Sequence, residues 1–136
     1  MNKYIKMTLI FAGIWFIAAL INGLLSGISI IFLDKAANAN PATLALSVIF
    51  SFVFSAPVVG LVWFITLMGQ VADKKGNELF QFALGAAFIC ACVAALIFIN
   101  TIGMEFMKAR YVAALCIIIS ALAAVLMFRK QIKTNE

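Results

Sequence analysis

The sequence predicts an all-α integral membrane protein, an up-down bundle of four helices whose N and C termini are both cytoplasmic. Hydrophobic residues make up 66% of the 136 residues and charged residues only 11%, whereas a soluble domain is roughly half apolar and about a quarter charged. The charged residues are clustered, and the uncharged runs between them are about 18 to 27 residues long. A spanning helix needs about 20 apolar residues, while the strands of a membrane barrel are about 9–11 residues long. The runs are therefore helices.

The four uncharged runs are the predicted transmembrane helices of a single membrane domain that covers 1–136. The predicted helices lie at about 7–33, 44–69, 79–102 and 109–128, and the last begins two residues before its uncharged run, which is 111–128. The first run is too long for a signal peptide, whose apolar region has about 7–15 residues, so we expect it to remain as the first span. The linkers have about ten residues or fewer, and such short connections favour antiparallel neighbours.

The linkers contain helix start and stop signals. Asn40 followed by Pro41 is typical of an N-cap and the first position of a helix, here helix 2. Gly76 is expected to close helix 2, and Asn77 to cap helix 3. Gly103 is expected to end helix 3.

The distribution of Lys and Arg predicts the orientation. Only three of the ten basic residues fall on the side of the loops 34–43 and 103–110. Cytoplasmic loops carry the excess of Lys and Arg, so these loops should face outward from an inner or plasma membrane. The cytoplasmic face can attract anionic lipid, and nothing indicates nucleic acid as a partner. The basic residues on the cytoplasmic side are Lys3, Lys6, Lys74, Lys75, Arg129, Lys130 and Lys133.

Two stripes of polar residues predict a seam between helix 1 and helix 2. Counted from the expected outer ends of the helices, Ser26 and Ser51 lie at equal depth, as do Asn22 and Ser55. The seam is either a packing contact made by small residues and hydrogen bonds or a narrow polar path for a solute. We prefer packing, because a serine is easily buried when it bonds to its own helix backbone. The candidate residues are Asn22, Ser26, Ser29, Ser47, Ser51 and Ser55.

Pro57 lies at the middle of helix 2. It removes one backbone hydrogen bond and leaves the carbonyl of Val53 without that donor, so we expect a kink. Gly60 follows one turn later. Pro57 and Gly60 are therefore a candidate hinge, although prolines are also tolerated in spans without such a role.

Small residues at a spacing of four predict close packing of helices. They could meet one another or a copy in a second subunit. They are Gly23 and Gly27 in helix 1, Ala83, Ala87, Ala91 and Ala95 in helix 3, and Cys116, Ser120 and Ala124 in helix 4.

Residues that carry chemistry are scarce. The chain has no His, and none of the four runs contains a charged residue. The thiols of Cys90 and Cys92 would point about 200° apart on a helix, and Cys116 lies in another helix. We therefore expect no catalytic residue, no cofactor and no metal site.

Two functions are compatible with these features. The first is a small multi-pass protein without enzymatic activity, which acts as a subunit or packing partner in a membrane complex or homo-oligomer. The alternative is a small channel or transporter for a neutral or weakly polar solute, with helix 2 kinked at Pro57.

Overall fold

The computed structural model describes residues 2–33, 41–101 and 110–134, which form helices joined by short turns and contain no strand. The predicted all-α fold is confirmed. The helices are α1 (Lys3–Leu33), α2 (Pro41–Val71), α3 (Gly76–Asn100), α4 (Arg110–Met127) and the short α5 (Arg129–Lys133).

The four long helices form a ring in chain order. α1 packs against α2 and α4, and α3 packs against the same two helices. Side-chain hydrogen bonds join Trp63 to Thr8 and Asn22 to Ser51, so α1 and α2 are antiparallel.

One end of the bundle contains the start of α1, the α2–α3 turn and α5. Fully buried Met7, Leu79 and Ile132 belong to one core cluster there. Arg129 and Lys133, at the ends of α5, lie 5.4 and 5.5 Å from the centre of the Phe80 ring. We call this the basic end, and its bases are Lys3, Lys6, Lys74, Lys75, Arg129, Lys130 and Lys133.

The side of the membrane that the basic end faces stays a prediction. The loops expected to face outward, 34–43 and 103–110, lie almost wholly outside the described residues, as do Asn40 and Gly103.

Many of the buried residues are alanines, alongside larger side chains such as Phe11 and Phe80, and many other large apolar residues are exposed. Each long helix exposes bulky side chains, for example Phe32, Val53, Ile89 and Leu115. In the part of the chain that the structure describes, three helices are long and apolar enough to span a membrane, and α4 contributes a shorter apolar helix. Such a surface is suited to lipid rather than water, so the chain is a membrane-embedded protein. The buried alanines are Ala18, Ala19, Ala83, Ala86, Ala87, Ala91, Ala94, Ala95, Ala113, Ala114 and Ala124.

Two helices begin earlier than the charge pattern predicts. α1 begins at Lys3 rather than near residue 7, because the side chain of Asn2 caps it by accepting a hydrogen bond of 2.9 Å from the Tyr4 amide. Lys6 therefore lies inside the helix. α2 begins at Pro41, the predicted first helical position, three residues before the expected span.

The predicted caps of the α2–α3 turn are wrong. Asp73, in the left-handed region with φ of 64°, closes α2. Its amide donates to the Gln70 carbonyl, and the Lys74 amide donates to the Gly69 carbonyl, both at 3.0 Å, which is a Schellman motif. The helix therefore ends before Gly76.

Gly76 is instead the first residue of α3, with Lys75 in the N-cap position that was predicted for Asn77. Gly76 has a φ of +60°, a conformation that glycine adopts without steric cost. The connection between α2 and α3 is short because the left-handed conformation of Asp73 turns the chain away from the axis of α2.

Candidate functional site

Two glycines bring α1 and α2 into backbone contact. A Cβ atom on Gly23 would lie 2.7 Å from the Cα atom of Val48. A Cβ atom on Gly27 would lie 2.7 Å from Cδ1 of Leu44 and 3.3 Å from Cβ of Ser47. The structure thus places both residues of this GxxxG pattern at the contact between the helices, and a larger side chain at Gly23 would meet the backbone of α2.

A buried hydrogen-bond network crosses this contact. Asn22 donates from Nδ2 to Oγ of Ser51 at 3.0 Å, and Ser51 donates to the carbonyl of Ala19 at 2.9 Å. Ser26 donates to Oδ1 of Asn22 at 3.1 Å. Both functional groups of the Asn22 side chain are therefore bonded within the protein.

The other serines of the two stripes divide into two kinds. Ser47 bonds across the contact, because its hydroxyl donates to the carbonyl of Gly23 at 3.0 Å. Ser29 and Ser55 donate to carbonyls of their own helices at 2.8 and 3.4 Å. Four of the six candidate residues, Asn22, Ser26, Ser47 and Ser51, thus belong to the network between the helices. Ser26 belongs to it by its hydrogen bond to Asn22.

The register of the seam differs from the expected one by about one helical turn. Asn22 pairs with Ser51 rather than lying level with Ser55. The reason is the early start of α2 at Pro41. Counted from the start of the helix, every α2 residue lies three positions deeper than it would if α2 began at residue 44.

Cys116 of α4 is a neighbour of the seam that sequence reasoning missed. Its buried thiol lies beside the hydroxyls of Ser26 and Ser29. The spacing of Cys116 with Ser120 marks a packing face of helix 4, but the pattern does not indicate which helix that face meets.

The small-residue ridges of α3 and α4 lie inside the bundle. The four alanines of the predicted ridge, Ala83, Ala87, Ala91 and Ala95, are all buried. Ser120 is buried as well, and its hydroxyl donates to the carbonyl of Ile117 at 3.0 Å.

The candidate hinge lies away from the polar network. α2 is one helix through Pro57, whose ring is exposed on the outside of the bundle. The indole of Trp15 donates to the carbonyl of Phe52 at 3.1 Å, next to the Val53 carbonyl that loses its donor at Pro57. A Cβ atom on Gly60 would have nothing within 4 Å. The hinge role stays a prediction.

A groove of about 330 Å³ lies between α1 and α2 in the half of the bundle nearer the basic end. Its three polar groups all have partners: the Trp63 indole donates to Thr8 at 3.1 Å, Thr8 donates to the Tyr4 carbonyl at 2.9 Å, and Trp15 bonds to Phe52. The residues that line this α1–α2 groove are Thr8, Phe11, Ala12, Trp15, Ala56, Val59, Gly60 and Trp63.

Gln70 is a second residue that sequence reasoning missed. Its side chain is buried near the end of α2, and neither the amide nitrogen nor the amide oxygen has a hydrogen-bond partner. The only indication in the sequence is that Gln70 follows Thr66 by four residues, which places both polar side chains on the same face of the helix. The structure buries both.

The described residues include no group of three or more His, Cys, Asp or Glu side chains that could hold a metal ion. Their two carboxylates, Asp73 and Glu78, lie exposed at the basic end, and Glu78 pairs with Lys74 at 3.2 Å.

Comparisons with models of known protein families, with curated proteins and with solved structures found no match.

Proposed function

We propose that the protein is a non-enzymatic, multi-pass protein of the inner or plasma membrane that acts by packing, as a subunit of a membrane complex or of a homo-oligomer. The observation that carries this proposal is the Asn22–Ser51 network. It uses the polar atoms of the seam for bonds between helices, whereas a solute path needs polar atoms that are free to contact the solute.

The exposure of α2 supports contact with other proteins in the membrane plane. Only 11% of its most apolar 18-residue segment is buried, against 39% for α1 and 28% for α3. More of the α2 residues in this segment are therefore at least partly accessible at the surface of the bundle, to lipid or to the helices of a neighbour.

The described interior contains no carboxylate, imidazole or amine, and this supports a non-enzymatic role. General acid–base catalysis needs a titrating side chain beside the reacting group. Apart from Arg110, the first residue of α4, the described carboxylates and bases lie at the basic end, outside the apolar part of the helices. The excess of bases there supports a cytoplasmic position for that end.

Crosslinking in native membranes tests the proposal. The tagged full-length chain is crosslinked in intact membranes, purified, and analysed by mass spectrometry, with a tagged, unrelated four-helix membrane protein as the control. We expect a crosslinked species that contains a second copy or a defined membrane protein and that the control does not recover. Recovery of monomer alone would refute the subunit proposal.

The alternative, a small channel or transporter for a neutral or weakly polar solute, is favoured by one observation. The buried amide of Gln70 has no partner, so it is free to bond to a polar solute or to water that enters the bundle. On this alternative, Pro57 would act as the hinge, and the seam would be accessible to water.

A further inference from the structure

We propose that the α1–α2 groove binds one acyl chain of an anionic phospholipid whose headgroup lies at the basic end. This inference is independent of the proposed subunit function, because it concerns a lipid rather than a protein partner. It rests on the chemistry of the lining, on the length and position of the groove, and on the charge beside it.

The lining selects an apolar occupant. The indoles of Trp15 and Trp63 and the hydroxyl of Thr8 are the polar side-chain groups among the lining residues, and all three already donate hydrogen bonds within the protein. A polar ligand would find few partners there and would lose its own hydration. A hydrocarbon chain loses nothing polar on entering.

The groove is open to the outside of the bundle. Thr8, Ala12 and Ala56 are exposed, and the backbone of Gly60 has open space before it. The large exposed side chains of Leu61 and Phe64 follow on the same stretch of α2. Lipid can therefore enter sideways from the membrane without any helix moving.

The length of the groove fits part of one leaflet. On α1 the lining runs from Thr8 to Trp15 and on α2 from Ala56 to Trp63, which is about 10 Å at 1.5 Å per residue. One leaflet supplies about half of the roughly 30 Å of hydrocarbon. A partner helix would need a contact surface along most of the bilayer, so the short groove favours a lipid chain.

The charge beside the groove selects an anionic headgroup. The Thr8–Trp63 end of the groove is the end nearer the basic end. Exposed Lys6 lies less than one turn closer to the start of α1 than Thr8, about 200° around the helix from it. Among the described residues, the basic end has seven bases and only two carboxylates, and one of these carboxylates is already paired with Lys74. Bases at this depth attract anionic lipid headgroups.

Quenching of tryptophan fluorescence by brominated lipid tests the proposal, because both tryptophans of the chain line the groove. The full-length protein is reconstituted in dioleoylphosphatidylcholine vesicles with equal mole fractions of either brominated phosphatidylglycerol or brominated phosphatidylcholine. We expect the anionic lipid to quench at a several-fold lower mole fraction. Lys6→Gln, which removes one of the seven bases of the basic end, should reduce this preference by up to about fivefold, the effect of one base near the surface.

Gly60→Leu fills the groove, and Gly85→Leu is its matched control. Each glycine lies inside a helix, and a Cβ atom added to either would meet no neighbouring atom within 4 Å, but only Gly60 lines the groove. We expect G60L to lose the preference for the anionic lipid and G85L to keep it. Equal quenching by the two lipids, or a preference that survives G60L, overturns the proposal. So does a protein neighbour crosslinked at position 60 while neither lipid quenches.

Discussion

The hydroxyl of Ser51 takes part in two hydrogen bonds at once, since it accepts from Asn22 and donates to the carbonyl of Ala19. The neighbouring phenylalanines divide between two helices. Phe52 packs edge-on against Trp15 of α1 at 5.5 Å, and Phe54 packs against Phe98 of α3 at 6.3 Å. Ser51 and Phe52 therefore both contact α1, whereas Phe54 contacts α3.

Ser51→Ala should destabilise the bundle, with Ser55→Ala as the matched control. Hydrogen bonds between membrane helices contribute about 0.6 kcal/mol on average and up to about 1.7 kcal/mol, so the loss of two should cost about 1–2 kcal/mol. Ser55 bonds to its own helix at 3.4 Å, and its removal should cost less than about 0.5 kcal/mol. Unfolding in detergent, followed by circular dichroism, measures both. Equal stability of the two variants would contradict the network.

At the residue scale, the serine stripes could be predicted from spacing alone, but their partners could not. The pairing of Asn22 depends on where α2 begins, and a shift of three residues at Pro41 changes the neighbour by one turn. The burial of Gln70 depends on tertiary packing around the end of α2, which the periodicity of one helix does not report.

Among the elements, the α1–α2 pair approaches closely at Gly23 and Gly27. The two glycines differ in what a larger side chain would meet. At Gly23 it meets the backbone of Val48, which cannot move without the whole helix, and at Gly27 it meets the flexible end of Leu44.

Substitution of these glycines by alanine should separate the two cases. Gly23→Ala should destabilise by about 1–3 kcal/mol through overpacking, and Gly27→Ala should cost less. Gly85→Ala, in open space on α3, should be neutral or stabilising by up to about 1 kcal/mol. Unfolding in detergent gives the order of stability. A Gly23→Ala variant as stable as Gly85→Ala would exclude the close approach of α1 and α2.

The existence and type of all four long helices could be predicted, because uncharged runs of this length have no other stable form in lipid. Their ends could not. Lys3 and Lys6 lie inside α1. The predicted start of this helix, placed after the last charged residue before the apolar run, excluded both. The turn after α2 uses Asp73 in the left-handed region, a role that the sequence suggested for glycine.

In the whole molecule, the ring order of the helices follows from short antiparallel connections. The docking of α5 on α3 does not, because a charged C-terminal segment gives no sign that Ile132 is buried. The α1–α2 groove could not be predicted either, since it depends on how residues of two helices, among them Ala12, Ala56 and Gly60, come to line one space.

The accessibility of position 51 to water tests most directly whether the seam packs helices or conducts a solute. Cys90, Cys92 and Cys116 are replaced by Ala, and Ser51→Cys is compared with Ala72→Cys in the exposed α2–α3 turn. Each variant is reconstituted in vesicles, and folding is verified by circular dichroism. A membrane-impermeant maleimide is then added on both sides of the membrane.

A packed seam predicts that the maleimide labels the Ala72→Cys variant and leaves Ser51→Cys unlabelled, because Ser51 is buried between α1 and α2. Labelling at position 51 as fast as at position 72 would show water inside the seam and contradict the packing function.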